Sequence, residues 1–443
     1  MRLLLLAILI LNVHPAPAAL FSDKERARSV AYWNAPGRYR IEARAEAAKN
    51  GHWVVRLTPA ASLWFYNYTR ARGAAKTPPT ETTVTPASPQ ATVWETWITA
   101  KYAHDSWLAQ TAAAAANSPI TNASTGSSPV PVVPAPPLPG LIPLDLLAAV
   151  GNPPPFVAAV APRRYTVTFD DGTAISYTDH VNVRPRYAYY RFDQGVMHAG
   201  VALRTIPEEE LNRIFAASGM TPFEQHVVKA VSRLEGGFAS VNTYDTGYLS
   251  VGFIQFATLS AGSGSLGSVL KREKLDRYVD FNEDFRRYGI DVNDAGALVV
   301  VDPATGAELA GPEAVLKIID DKRLTAVFQR AGANSQAFRA AQVLVARQQY
   351  YPADMPLSVT IGGRTISGKV ADVIKSEAGM ATLFDRKVNT GNIRALSGVV
   401  AQVMQERGLT KLEEAAAFER QIVRALKYRV DFLADKTLTQ PPP

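Results

Sequence analysis

The sequence predicts an α+β protein: a mainly helical C-terminal part containing a short β-hairpin, preceded by a small β segment and an N-terminal α+β module. Three observations predict it. Strand-like alternation clusters before Phe192, helical periodicity dominates from Pro207 onward, and a proline-rich stretch interrupts the chain between its N-terminal part and the rest. At 443 residues the chain exceeds the roughly 100–200 residues of one ordinary domain. Hydrophobic residues at 47% and charged residues at 20% are ordinary globular usage, enough for a large core.

Residues 1–19 combine Arg2, an apolar run from Leu3 to Val13 broken only by Asn12, and Ala16-Pro17-Ala18, the pattern of a cleaved secretory signal peptide. That run is shorter than the roughly 20 residues needed to span a bilayer, so no stable membrane insertion is expected after cleavage, and the expected location is secreted or periplasmic. The N-terminal module follows over residues 20–110. Gly37 to Ala45 and Trp53 to Arg70 alternate as strands, and Val93 to Ala116 has helical spacing. All six tryptophans of the chain lie here. A buried core is the first expectation for them, and a carbohydrate- or wall-binding surface the second.

Residues 111–155 hold 11 of the 30 prolines and a single charge, Asp145, which reads as a semi-rigid linker with Leu141 to Val150 docking as a short helix. In the β segment, 156–204, Tyr165–Phe169 and Ala174–Tyr177 flank Asp170-Asp171-Gly172, a hairpin turn, with a third strand expected at Ala188–Phe192. The helical part, 205–436, is expected to contain helices at Glu208–Ala217, Thr221–Leu234, Pro312–Asp320, Leu324–Tyr350, Val370–Ser376, Ile393–Glu406 and Lys411–Asp435. A disordered tail, 437–443, is expected to close the chain.

Thr221-Pro222-Phe223-Glu224 is a capping box with proline at the first helical position, and Phe223, Val227, Val231 and Leu234 recur at helical spacing. Gly236-Gly237 ends the pattern and places Glu235 at the helix end, where the carbonyl terminus disfavours negative charge. Beside Leu234 and Val231 it is also expected to be partly desolvated. Both effects favour the protonated carboxyl that a general acid needs. A polar, turn-forming stretch from Phe238 to Gly247 follows, and then Tyr248 to Phe256 reads as a strand or extended arm.

Here the chain resembles the lysozyme-like superfamily, which includes goose-type lysozymes, lytic transglycosylases and chitosanases, in which a catalytic glutamate ends a helix and a small sheet and cleft-lining segment follow. The resemblance covers about 25 residues, with Glu235 in the place of that glutamate and Ser250-Val-Gly252-Phe-Ile-Gln255 in the place of the cleft segment. Gly236 stands where transglycosylases usually carry serine. Asp245 stands where hydrolysing members carry a second carboxylate, and Tyr244 to Phe253 is similar to the aspartate-bearing loop of chitosanases. Leu383 to Gly391 is similar to a helix bordering the cleft in several relatives.

The resemblance implies a lysozyme-like catalytic domain acting on a β-1,4 glycan such as peptidoglycan. Glu235 would protonate the leaving oxygen and Asp245 would activate water. Gln255 and Ser250 would hydrogen-bond the sugar, and Phe238, Tyr244 and Tyr248 would offer ring faces. The alternatives are a lytic transglycosylase using Glu235 alone, a chitosanase-like hydrolase, and a non-catalytic wall-binding protein. A net charge of +7 without dense basic runs argues against a nucleic-acid partner. The six histidines show no metal-ligand spacing and there is no cysteine, so neither metal nor cofactor is implied. Gly262 to Gly267 lacks a phosphate-loop lysine and reads as a flexible loop.

Overall fold

A computed structural model describes residues 19–72, 89–117, 134–234 and 236–443. The expected leader up to Ala18 and the candidate acid Glu235 lie outside the described residues. The fold is mixed α+β, with helices predominating over several small sheets.

The chain begins with α1 (Asp23–Trp33), β1 (Tyr39–Glu42), α2 (Arg44–Lys49), β2 (Val54–Leu57), α3 (Pro59–Ala71) and α4 (Pro89–Asn117). Trp53–Arg70 is therefore not one strand. Thr58 caps α3 by accepting from the Ala61 N–H, with Pro59 at its first position, and this local helix start overrides the alternation. Then come α5 (Leu144–Val150), β3 (Val157–Val160), β4 (Arg164–Thr168) and β5 (Ala174–Thr178). The hairpin turns where expected, with Gly172 at φ +84° between β4 and β5.

Strand pairing joins the chain across the proline-rich stretch. β1 is antiparallel to β4 in a β1-β4-β5 sheet, and β2 is antiparallel to β3. The buried carboxylate of Asp179 accepts from the Arg163 N–H at 2.8 Å and from Arg44 at 3.2 Å, while its main-chain carbonyl accepts from Arg56. Trp33 of α1 sits in the main core and donates to the Tyr288 carbonyl at 2.9 Å. The N-terminal module and the β segment are thus one interleaved body rather than two units. Within the proline-rich stretch α5 docks as expected, with Leu146 fully buried beside Trp64 and Phe65.

Trp33, Trp64, Trp94 and Trp97 are buried, so a tryptophan binding face gives way to aromatic core. The expected third strand at Ala188–Phe192 is only a single bridge, Tyr190 to Asp245.

Next are β6 (Met197–His198), α6 (Glu208–Ala216), α7 (Pro222–Ser232), β7 (Val241–Asn242), β8 (Ser250–Val251), β9 (Phe256–Ala257), α8 (Gly264–Asp276) and α9 (Tyr278–Asp284). The antiparallel sheet β10 (Ile290–Val292), β11 (Leu298–Val301), β12 (Glu308–Ala310) follows. The glycine-rich stretch read as a flexible loop instead opens α8, because Gly262 and Gly264 supply positive φ at a close approach to Gly311 and Ala257.

The C-terminal elements are α10 (Pro312–Asp320), α11 (Lys322–Asn334), α12 (Gln336–Tyr350), the β13 (Pro356–Ile361) and β14 (Arg364–Lys369) hairpin, α13 (Val370–Val373), α14 (Glu377–Thr390), α15 (Ala395–Arg407) and α16 (Glu419–Leu426). The helix expected over Leu324–Tyr350 breaks at Ser335, whose hydroxyl caps α12 by accepting from the Phe338 N–H. The long helix expected over Lys411–Asp435 is shortened to α16, preceded by a tighter helical stretch over Leu412–Phe418. The tail is ordered: Thr439 exchanges hydrogen bonds with buried Glu377, and Leu438 packs into the core. No helix among the described residues is long and apolar enough to cross a membrane.

Candidate active site

The site grows from α7. Thr221 and Glu224 close the capping box reciprocally, at 3.3 and 2.7 Å. Val227, Val228 and Val231 bury the inner face of the helix, and the last helical residue is Ser232. Leu234 still donates to the Val231 carbonyl, and Gly236 to that of Ser232 at 3.3 Å, so the chain on either side of Glu235 remains wound on the helix end.

The double glycine does more than stop a helix. A Cβ at Gly237 would lie 1.8 Å from the Val201 carbonyl oxygen, and one at Gly236, whose φ is +131°, would meet Ser240 Oγ at 3.0 Å and the Ala199 oxygen at 3.1 Å. Residues 199–201 can run directly against the chain beyond Glu235 only because both side chains are missing. Any side chain at 236 would meet these tight contacts at a backbone conformation that only glycine adopts freely.

After α7, strands β7, β8 and β9 pair in sequence and β6, from before α6, joins their edge beside β7, making a four-stranded antiparallel sheet of two-residue strands. Asp245 sits in the β7–β8 turn. One carboxylate oxygen accepts from the Gly247 N–H at 2.8 Å and the other from Asn242 Nδ2 at 2.8 Å. Burial pushes the Asp245 pKa up, while those two donors and the charge of Arg191 pull it down. Asn242, Gly247 and Arg191 were not singled out in the sequence. Their only local signal was the Asn-x-x-Asp-x-Gly spacing of an Asx-type turn.

The predicted contacts divide into two groups. Tyr244 and Tyr248 flank Asp245. Tyr244 lies 6.3 Å from the Tyr187 ring and 6.2 Å from that of Tyr190, and Tyr248 meets the Phe192 ring edge-on at 5.1 Å. Both remain partly exposed. Phe238 and Ser250, by contrast, are at most 5% exposed. Phe238 packs edge-to-face on Phe253 at 5.3 Å, which corrects its reading as a sugar platform, and Ser250 is enclosed in the sheet. Gln255 Nε2 donates to Ser240 Oγ at 2.6 Å and to the Gly252 carbonyl at 3.1 Å, fixing the arm internally.

Buried Gln342 of α12, unnoticed in the sequence, braces the same arm. It accepts from the Phe253 N–H at 3.3 Å, donates to the Phe238 carbonyl at 3.1 Å, and occupies the space a side chain at Gly252 would need.

Backbone strain gathers in this segment. Among the described residues four non-glycine positions have positive φ, and Tyr248 (+66°), Gln255 (+58°) and Leu259 (+56°) are three of them. Each costs on the order of 1–3 kcal/mol, and such residues persist where the surrounding structure over-determines them, often at functional sites. Asp385, on the helix similar to a cleft border, is buried against Arg429 and Asn389.

Two cavities lie near this machinery but not at Asp245. One, of about 210 Å³, is bounded by Phe238, Ala239, Pro207 and Arg339. The other, of about 610 Å³, lies among α6, α8, α9 and α12 and contains Glu273 and Asp284. Glu210 lines both and is paired with Arg339 at 2.7 Å. Among the described residues no set of three or more His, Cys, Asp or Glu side chains converges as metal ligands.

Comparison with family models, with curated proteins and with solved structures returns no match for the chain.

Proposed function

We propose that this chain is an exported, lysozyme-like glycosidase that cleaves the β-1,4 glycan of peptidoglycan. The observation that carries the reading is the placement of Asp245, a carboxylate of raised proton affinity held by two N–H donors in the turn of a small strained sheet. Three of that sheet's four strands follow the capped helix whose end leads into Glu235. In this reading Glu235 protonates the glycosidic oxygen and Asp245 takes a proton from the attacking water, as in an inverting mechanism. Asn242 and Gly247 keep Asp245 oriented and favour its charged form, which a base must have. Tyr244 and Tyr248 are the ring surfaces available to a saccharide beside it.

A second reading, an exported wall-binding protein without turnover, is favoured by one feature: Gln255 and Ser250 spend their polar groups inside the fold rather than toward a ligand. Mass spectrometry of peptidoglycan incubated with the protein separates the readings. Soluble fragments with reducing ends are the expected result, anhydro ends would transfer the chemistry to Glu235 alone as a transglycosylase, and retention on the insoluble wall without fragments would establish the binder.

A further inference from the structure

The 610 Å³ cleft holds a feature that the glycosidase reading does not use. Glu273, in the last turn of α8, is 1% exposed, and neither of its carboxylate oxygens meets a hydrogen-bond donor. Buried carboxylates are ordinarily paired or hydrogen-bonded, because desolvating an uncompensated charge is costly. Its neighbour Asp284, at the end of α9, is 8% exposed and lines the same cleft, and its charge adds to burial in favouring a proton on Glu273.

The surrounding charges do not neutralise the pair. Arg330 of α11 approaches Asp284 at 3.9 Å and is itself bonded to Asp171 at 2.8 Å. Arg277 is engaged by Asp280 at 2.7 Å, and Arg213 of α6 also lines the cleft. The remaining acids at the rim have partners of their own: Asp276 with Arg272, Glu283 with Arg287, and Glu210 with Arg339. When both members of the pair are ionised, Arg330 is the one cation among the described residues within 4 Å of either, and Glu273 has none. The apolar side of the cleft is formed by Ile214, Ala341 and Leu344.

We propose that this cleft binds an organic ammonium ligand, whose –NH3⁺ group sits between the Glu273 and Asp284 carboxyls while its hydrocarbon body lies along the Ile214, Ala341 and Leu344 side of the cleft. An alkyl ammonium supplies donors for the orphaned oxygens and one compensating charge. The exchange balances: one proton leaves the carboxyl pair and one ammonium enters. No third carboxylate or imidazole converges to complete a metal site among the described residues.

The test is titration calorimetry on the full chain with spermidine at pH 7, repeated in buffers of different ionisation enthalpy. Neutral 1,5-pentanediol and calcium chloride serve as comparison ligands. Saturable spermidine binding with release of about one proton per site is expected, weakened about tenfold or more in Glu273→Gln, which keeps the side-chain shape but cannot ionise. Glu235→Gln should bind spermidine as the parent does, so the outcome is independent of the glycosidase reading. If Glu273→Gln does not fold, Asp284→Asn is read in its place. Spermidine binding without proton release, an unchanged affinity in the variant, or equal response to calcium would each overturn the proposal.

Discussion

Asp245 and Glu273 are two carboxyl groups with raised proton affinity and opposite surroundings. Asp245 is partly exposed, accepts two hydrogen bonds in a turn, and is held by a sheet with strained residues on its flanks. Glu273 is enclosed, accepts none, and faces a second carboxyl; burial and Asp284 push its pKa up to about 10. The donors around Asp245 stabilise its charged form and oppose burial, so its proton can be given up for chemistry. Around Glu273 only a proton or another cation answers the charge. A high proton affinity therefore marks either a reactive base or a stored proton, and the local donors decide which.

The contrast can be broken most severely at Asp245. Asp245→Asn should reduce glycan release about 10²–10⁴-fold, the usual contribution of a positioned base, with little change in thermal stability. In the parent the rate should rise with pH only above the ordinary aspartate range, because the base must lose its proton and burial holds that proton longer; the variant should lack this limb. A pH–rate profile of both proteins checks it.

At Glu273 the effect falls on stability instead. A group whose folded pKa lies above its unfolded value contributes stability that is complete below the unfolded pKa and is lost as pH rises toward the folded one. For Glu273 that window runs from the ordinary glutamate range up to about 10. The parent should lose up to roughly 1.4 kcal/mol per pH unit within it, relative to Glu273→Gln. Denaturant unfolding of both proteins at a series of pH values measures the divergence, and parallel curves would contradict it.

Asn242→Ala sharpens the comparison by making Asp245 more like Glu273. Losing one donor should cost about 1 kcal/mol of stability and move the rising limb of the rate profile to higher pH. Thr221→Ala, which opens the α7 cap and leaves both carboxyls alone, should cost about 1 kcal/mol with an unchanged profile.

Local chemistry was legible in the sequence wherever few residues determine the geometry. Thr221-Pro-Phe-Glu224 gave the start of α7, Asp170-Asp171-Gly172 gave the β4–β5 turn, and Leu144 to Val150 docked as a helix. What composition suggested and topology overruled was separation: the proline-rich stretch reads as a spacer, yet β1 and β2 find their partners beyond it. Pairing over such distances leaves no local trace, because any alternating strand can satisfy any edge.

At the candidate site, Asp245, Tyr244 and Tyr248 do cluster. Phe238 is buried because position 238 turns into the Phe253 contact, and no spacing rule distinguishes an outward from an inward ring in a loop. The Glu273–Asp284 pair was invisible for a similar reason: the two residues lie on separate helices and meet only when α8 packs beside α9.

The most direct test of the central claim is the release of soluble glycan fragments from purified peptidoglycan by the parent and by Glu235→Gln, at matched protein concentration and with both proteins shown to be folded. Release by the parent, reduced at least a hundredfold in the variant, is the result this account predicts. Equal release by both, or none by the parent, would contradict it.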